Sequence, residues 1–366
     1  MQLGFIAALL VAGIVAGVVF PGRLTGVFGA ATLYVFLPAL IFEGAWRLDS
    51  QTMRRMWGPI AMLAVPGVLC TAGIIAVCVH FGGGVPWTTS MLLGAILSAT
   101  DPVAILAIFR RLRLPRALTT IVESEALLND AAAVVVYRAL LAATAAGSGA
   151  YAWHVGGMAG LGAVLGILIG AVVAIISAKV FWPTSRPLVY VVVTLAGAYW
   201  VYYFANRLDW SGIFAVITFG VLLRYLHRED MSEEYAQAVG SFWERLALIA
   251  NGALFFLIGA ALNFAALWPA LPIALVTVAA VLLARFAIVY GLLHIATPRL
   301  HPAWMSIVRM AGIRGALSLA LALAIPQGIP GRELVVNVTF VVVVITLLVG
   351  LLTLERRVKE LPVDAG

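Results

Sequence analysis

Charge is scarce in this chain. Only 11% of its 366 residues are Asp, Glu, Lys or Arg, where a soluble domain carries about 25%. That excludes a chain built mainly of water-facing surface and leaves no room for a sizeable soluble regulatory domain. Cysteine is nearly absent. Cys70 and Cys78 stand eight apart in one apolar run, more than about 10 Å apart on a helix rising about 1.5 Å per residue, so no disulfide joins them. The five histidines are scattered and match no HExxH spacing, and no CxxC is present, so no cofactor or resident metal is expected. Low-complexity linkers are also lacking, and the most polar stretch is the short segment 224–234.

Long apolar runs fill the chain instead. Twelve of them cover approximately residues 2–20, 25–46, 57–81, 86–109, 116–144, 151–180, 187–206, 210–226, 241–266, 271–297, 302–327 and 333–355. Each is near or above the roughly 17–25 residues that cross a bilayer. The expected fold is therefore an all-α polytopic membrane protein of about twelve helices, a single transmembrane domain over 1–366. The first run lacks a basic leader and a small-residue cleavage site, so it reads as a retained helix. The net charge of +7 does not require nucleic acid, because the basic residues are sorted by loop. One alternate set of loops, with the C-terminus, holds Arg47, Arg54, Arg55, Arg110, Arg111, Arg113, Arg116, Lys179, Arg186, Arg224, Arg228, Arg299, Arg356, Arg357 and Lys359. The opposite set holds Arg23, Arg207 and Arg332. This bias predicts a multi-pass plasma-membrane protein with its C-terminus, and its N-terminus, in the cytoplasm.

Within this apolar background the polar exceptions carry the chemistry. The fifth run contains Glu123, Glu125, Asn129 and Asp130. A lone ionised side chain at mid-membrane costs about 2.5–3.5 kcal/mol on insertion scales, so unpartnered acids here mark an ion or proton site. Glu123 and Asp130 are seven apart and share a helix face. Glu125 points about 140° away from Asp130 at about 100° per residue. The two acids can therefore have different partners. Arg285 and Arg314 are the basic residues in neighbouring runs available to neutralise one of them. A structural Glu125–Arg285 pair leaves Asp130 free to exchange ions. In the fourth run, Pro102 removes a helical donor and pushes Asp101 out of the α region, which predicts a broken helix at Thr100–Asp101. Asp101 is then placed to cap the second half-helix, and Thr100 to offer a carbonyl and a hydroxyl to a cation. Gly312, Gly315 and Pro326 point to a second break in the eleventh run.

Several segments resemble one family. ATDPVAI at 99–105, ESEALLND at 123–130 and GIRGALSLALALAIP at 312–326, together with LPALIFEG at 37–44 and FWERLALIANGALFFLIGAAL at 242–262, are similar to the cation/proton antiporter-1 family, in its NhaP-like branch of Na⁺/H⁺ antiporters. The resemblance covers nearly the whole chain in order. It implies inverted repeats (approximately 1–144 and 187–356) with two crossing discontinuous helices, and exchange of Na⁺, possibly Li⁺, for H⁺ by alternating access. Asp130 would bind either Na⁺ or H⁺, with Thr100 a further ligand to Na⁺. Asn129 would organise the site, and Thr100 and Asp101 would lie at the helix crossing with Arg314. Glu125 would pair with Arg285, and Glu43, with Glu123, would line or support the ion path. An Asn-Asp pair resembles the electroneutral branch and implies one-for-one exchange. The resemblance also implies a homodimer in a bacterial inner membrane, serving pH homeostasis.

Two departures from the family pattern stand out. Relatives commonly carry Ser where this chain has Ala126, one residue after Glu125, so one hydroxyl ligand is missing; Ala126→Ser is expected to lower the apparent KM for Na⁺. Relatives also commonly have thirteen spans, and this sequence starts about one helix later. Other functions fit less well. An intramembrane aspartyl protease could use Asp101 and Asp130, but no GxGD motif is present. A K⁺/H⁺ antiporter of the same fold is the closer rival. The expected partners are monovalent cations, protons and the lipid bilayer.

Overall fold

The computed structural model describes residues 2–20, 30–101, 103–112, 114–146, 152–181, 186–227, 232–262, 264–296 and 302–360, and these are helical with short connections. In chain order the helices are α1 (Gln2–Val19), α2 (Ala30–Arg47), α3 (Ser50–Arg55), α4 (Trp57–Ala64), α5 (Pro66–Gly83), α6 (Trp87–Ser98), α7 (Val103–Leu112), α8 (Arg116–Ala146) and α9 (Ala152–Phe181). They continue with α10 (Pro187–Arg207), α11 (Gly212–Leu226), α12 (Glu233–Ala261), α13 (Phe264–Ala287), a π-helical turn (Ile288–Leu293), α14 (His294–Ala296), α15 (Pro302–Met310), α16 (Ala316–Leu323) and α17 (Arg332–Glu360).

Among the described residues, seven helical stretches are long and apolar enough to cross a membrane: Trp57–Gly83, Arg116–Thr144, Gly156–Val180, Pro187–Arg207, Glu233–Ala261, Ala265–Leu292 and Arg332–Gly350. Shorter apolar helices cover Ala8–Val19, Trp87–Ser98 and Gly212–Leu226. The twelve apolar runs of the sequence are thus not twelve uniform helices. The fourth run is divided into α6 and α7, and the eleventh into α15 and α16.

One boundary differs clearly from the sequence expectation. Helix α12 starts at Glu233, not near 241, because Ser232 accepts from the Tyr235 amide and Glu233 and Glu234 fill the first turn. These polar features favour a helix start but contribute nothing to an apolar run. Correspondingly, α13 begins at Phe264 rather than 271 and carries Pro269 and Pro272 inside it.

The helices sort into two bundles by their contacts. Helices α1, α2 and α9–α12 pack on one another, and α3–α8 pack with α13–α17. Close backbone approach joins α1 to α12: a Cβ at Gly13 would lie 2.0 Å from the Phe256 carbonyl oxygen, and one at Gly259 would lie 2.4 Å from that of Leu10. Small residues permit such approach between membrane helices. In the same bundle, the Phe42 ring of α2 lies 4.2 Å from Trp243 of α12 and 5.8 Å from Phe219 of α11. The buried Trp243 indole N–H donates to Thr194 Oγ1 at 3.0 Å. The bundles meet where α8 packs on α9, where α2 touches α8 and α16, and where α12 touches α16. The functional residues are found at that seam.

Candidate functional site

Both sequence-predicted helix breaks are present. Helix α6 stops at Ser98 with Ala99 extended (φ −62°, ψ 141°), and α7 resumes at Val103. Pro102, which the sequence reading makes the cause, lies outside the described residues. The second break runs through residues 312–315 between α15 and α16, with Gly315 extended at φ −146°, ψ −154°.

The two unwound segments cross and join. The Asp101 amide donates to the Ile313 carbonyl at 2.9 Å. Asp101 Oδ2 accepts from the Ala316 amide at 3.4 Å, at the start of α16. Asp101 therefore also reaches the start of the opposite broken helix, a contact the sequence did not suggest; the junction with its own second half, at Pro102, lies outside the described residues. The reverse contact comes from Arg314. Its Nη1 donates to the Ser98 and Ala99 carbonyls at 3.3 and 3.2 Å, at the end of α6. An anion thus meets a positive helix start and a cation meets a negative helix end. Gly315 has no side chain because none fits: a Cβ there would lie 2.0 Å from Asp101 Oδ2.

Helix α8 presents its acids in two directions, as their spacing requires. Glu123, Leu127 and Asp130 line a cavity of about 140 Å³. Glu125 turns away from it and is 2% exposed. Arg285 of α13 binds Glu125 bidentately: Nη1 donates to Oε1, and Nη2 donates to Oε2 at 3.0 Å. Nη2 also donates to the Val308 carbonyl at 2.6 Å. The pair is buried between α8, α13 and α15.

The Thr100 backbone, Asp101 and Arg314 lie within electrostatic range of the Asp130 carboxylate. Asp130 Oδ1 is buried and has no hydrogen-bond partner among the described residues. Asn129 Nδ2 donates to Thr100 Oγ1 at 3.4 Å, and its own Oδ1 has no partner among them. Ala126 is buried but is not among the residues lining the cavity. Among the described residues, no cluster of three or more His, Cys, Asp or Glu side chains forms a metal site.

Toward the end of α2 that carries Arg47, the cavity is walled by charge. Glu43 pairs with Arg47 (Oε1 to Nε, 2.6 Å), and Arg47 Nη2 reaches Glu244 of α12 at 3.2 Å. Sequence reasoning identified Glu43 and Glu123 but missed Arg47, Glu244, Asn251 and Ser318, which also line the cavity. Two of these had a legible signal. Arg47 follows Glu43 by four residues, and Asn251 follows Glu244 by seven, so each shares a helix face with an acid.

Membrane-crossing helices, two of them interrupted where they cross beside a buried carboxylate, define an ion-coupled transporter. The chain belongs to the sodium/hydrogen exchanger family, whose transmembrane model matches residues 1–359. It is 32% identical over 342 residues to the low-affinity Na⁺/H⁺ antiporter NhaS1 of Synechocystis sp., covering 89% of this chain and 64% of that protein. It is 30% identical to the Na⁺/H⁺ antiporter NhaP of Pseudomonas aeruginosa, covering 91% and 82%. It spans about two thirds of the length of NhaS1 and of ApNhaP from Aphanothece halophytica (64% and 66%). The fold is similar to that of the sodium proton antiporter MjNhaP1 from Methanocaldococcus jannaschii, with a TM-score of 0.80 at 21% identity over 96% of this chain and 92% of that one.

Proposed function

We propose that this chain is a secondary antiporter, not an enzyme, that exchanges Na⁺ for H⁺ one for one, with Asp130 as the shared binding group. One observation carries the reading. Of the acids on α8, Glu125 is locked to Arg285, whereas Asp130 lines the cavity with a buried oxygen that no donor among the described residues satisfies. A carboxylate so placed holds either a proton or a hard cation, which favours oxygen ligands. Thr100 lines the same cavity and is the second ligand to Na⁺, with Asn129 holding its hydroxyl. Asp101 and Arg314 keep the two broken helices in register. Glu43 and Glu123 line the entry path.

Transport follows from the cost of moving an empty site. An unoccupied buried carboxylate carries an uncompensated charge, which disfavours its passage between the two sides. Occupied by Na⁺ or H⁺, the site is neutralised, and the bundle containing α8 can shift against the bundle containing α2 and α12. Only loaded states cross, so one cation exchanges for one proton. The sorting of basic residues places Arg47 and Arg116 on the cytoplasmic side, so the cavity opens inward. In the same reading the protein lies in a bacterial inner membrane as a homodimer, with its C-terminus in the cytoplasm. Its cargo is the cation and the proton, and no cofactor takes part.

Proteoliposomes holding the purified chain and a pH-sensitive dye test this. Na⁺ and Li⁺ should dissipate a preset proton gradient in a saturable manner. K⁺ acting at lower concentration than Na⁺ would replace Na⁺ by K⁺ as the cargo, and no cation-dependent proton movement would refute antiport.

A further inference from the structure

Hydroxyls inside membrane helices normally donate to a carbonyl one turn back on their own helix. Many hydroxyls on the described helices follow this rule. Thr71 donates to Gly67 O, Thr144 to Leu140 O and Thr277 to Ile273 O, each at 2.7 Å. Ser98 does the same to Ala95 O at 2.7 Å. Ser318 departs from it. The residue is 1% exposed, its Oγ is buried, and it has no hydrogen-bond partner among the described residues.

Ser318 is the third residue of α16, so the residue four positions back is Arg314, in the unwound segment. The Gly315 carbonyl, three residues back, accepts from the Leu319 amide at 3.5 Å, and the Ser318 hydroxyl does not use it. Other buried hydroxyls among the described residues also lack partners, on Ser124, Tyr137 and Thr339. Only Ser318 of these lines the cavity that Asp130 lines. The half-helix carrying it is held at both ends. Asp101 accepts from its first amide, and Arg332 donates to the Leu323 and Ile325 carbonyls at its far end, at 3.3 and 2.7 Å.

We propose that Ser318 is a ligand to the transported cation, its hydroxyl oxygen completing a site with Asp130 and Thr100. The inference rests on Asp130 being the exchange site. It assigns to α16 the hydroxyl that Ala126 does not supply from α8. Each broken helix then contributes one hydroxyl, from Thr100 beside one break and Ser318 beside the other, with the carboxylate between them on α8. A hydroxyl dipole on a hard cation is sensitive to replacement by a methyl group or by a sulfur, which is a poor ligand for Na⁺.

The test uses the full chain in proteoliposomes, with Na⁺ and Li⁺ titrated against proton flux for Ser318→Ala, Ser318→Cys and Ser318→Thr. Losing one dipole-to-charge contact should raise the apparent KM for both cations about tenfold in the Ala and Cys variants, with the maximal rate unchanged. The Thr variant, which keeps the oxygen, should stay near the parent. Na⁺-induced thermal stabilisation of the detergent-purified variants gives a second readout, weakened in Ala and Cys and retained in Thr. Unchanged KM values in Ala and Cys, with exchange still abolished by Asp130→Asn, would overturn the role of Ser318 and leave the Asp130 site standing. Equal losses in Ala, Cys and Thr would show a packing role and also overturn it. A parent with no cation-dependent proton flux would remove the site itself.

Discussion

Removing both members of the Glu125–Arg285 pair should cost well under the sum of removing each alone. The two side chains are 2% and 8% exposed, so neither charge has water to fall back on. Removing one partner of a buried pair costs about 3–5 kcal/mol, because it strands the other charge. Glu125→Gln keeps an amide oxygen that can still accept from Arg285, which puts it near the lower end, about 3 kcal/mol. Arg285→Met strands the carboxylate and also takes away the donor to the Val308 carbonyl. That second loss adds about 1–3 kcal/mol, so this variant should be the worse of the two. In the double variant no charge is stranded, and the deficit should fall short of the summed singles by about 3 kcal/mol, at the upper end for residues in contact. Unfolding of the three variants and the parent in one detergent gives the cycle. Losses that add within about 0.5 kcal/mol would mean that the residues act independently, and the pair would have no energetic meaning.

Three further outcomes are expected. Because the Asn129-Asp130 pair leaves one exchanging carboxylate, transport in proteoliposomes should not accelerate when a membrane potential is imposed with valinomycin and K⁺; acceleration would refute one-for-one exchange. Gly315→Ala should weaken or abolish exchange and lower thermal stability, since its methyl group would occupy the Asp101 carboxylate position; parent-like transport and melting would show that the crossing tolerates displacement. Ala126→Ser should leave the apparent KM for Na⁺ unchanged, contrary to the expectation from sequence, because position 126 does not line the cavity; a lowered KM would put it within reach of the ion.

What could be read from sequence was local. A proline after Asp101 signals a broken helix, and the spacing of Glu125 and Asp130 on one helix separates their directions without any knowledge of the fold. The run of loops rich in arginine gives a topology. What could not be read depends on distant chain segments meeting. Asp101 and Ala316 are joined across 215 positions, and no local rule says that a carboxylate will reach the start of a second helix. Ser318 looks like any serine in an apolar run until the cavity it shares with Asp130 is known, since that cavity forms only where distant segments meet. The start of α12 was missed for a related reason. Its first two turns carry Glu233, Glu234 and Gln237, and an apolar-run reading discards them, although Ser232 caps them firmly.

The most direct measurement is proton release on cation binding. Purified protein in weakly buffered detergent solution, at a pH where the site is protonated, is titrated with Na⁺ while a dye reads free protons. One proton should leave for each Na⁺ bound, because both compete for the same carboxylate. Asp130→Asn should bind no Na⁺ and release none while melting as a folded protein. Proton release that persists in Asp130→Asn, or Na⁺ bound by the parent without any release, would contradict a shared site at Asp130.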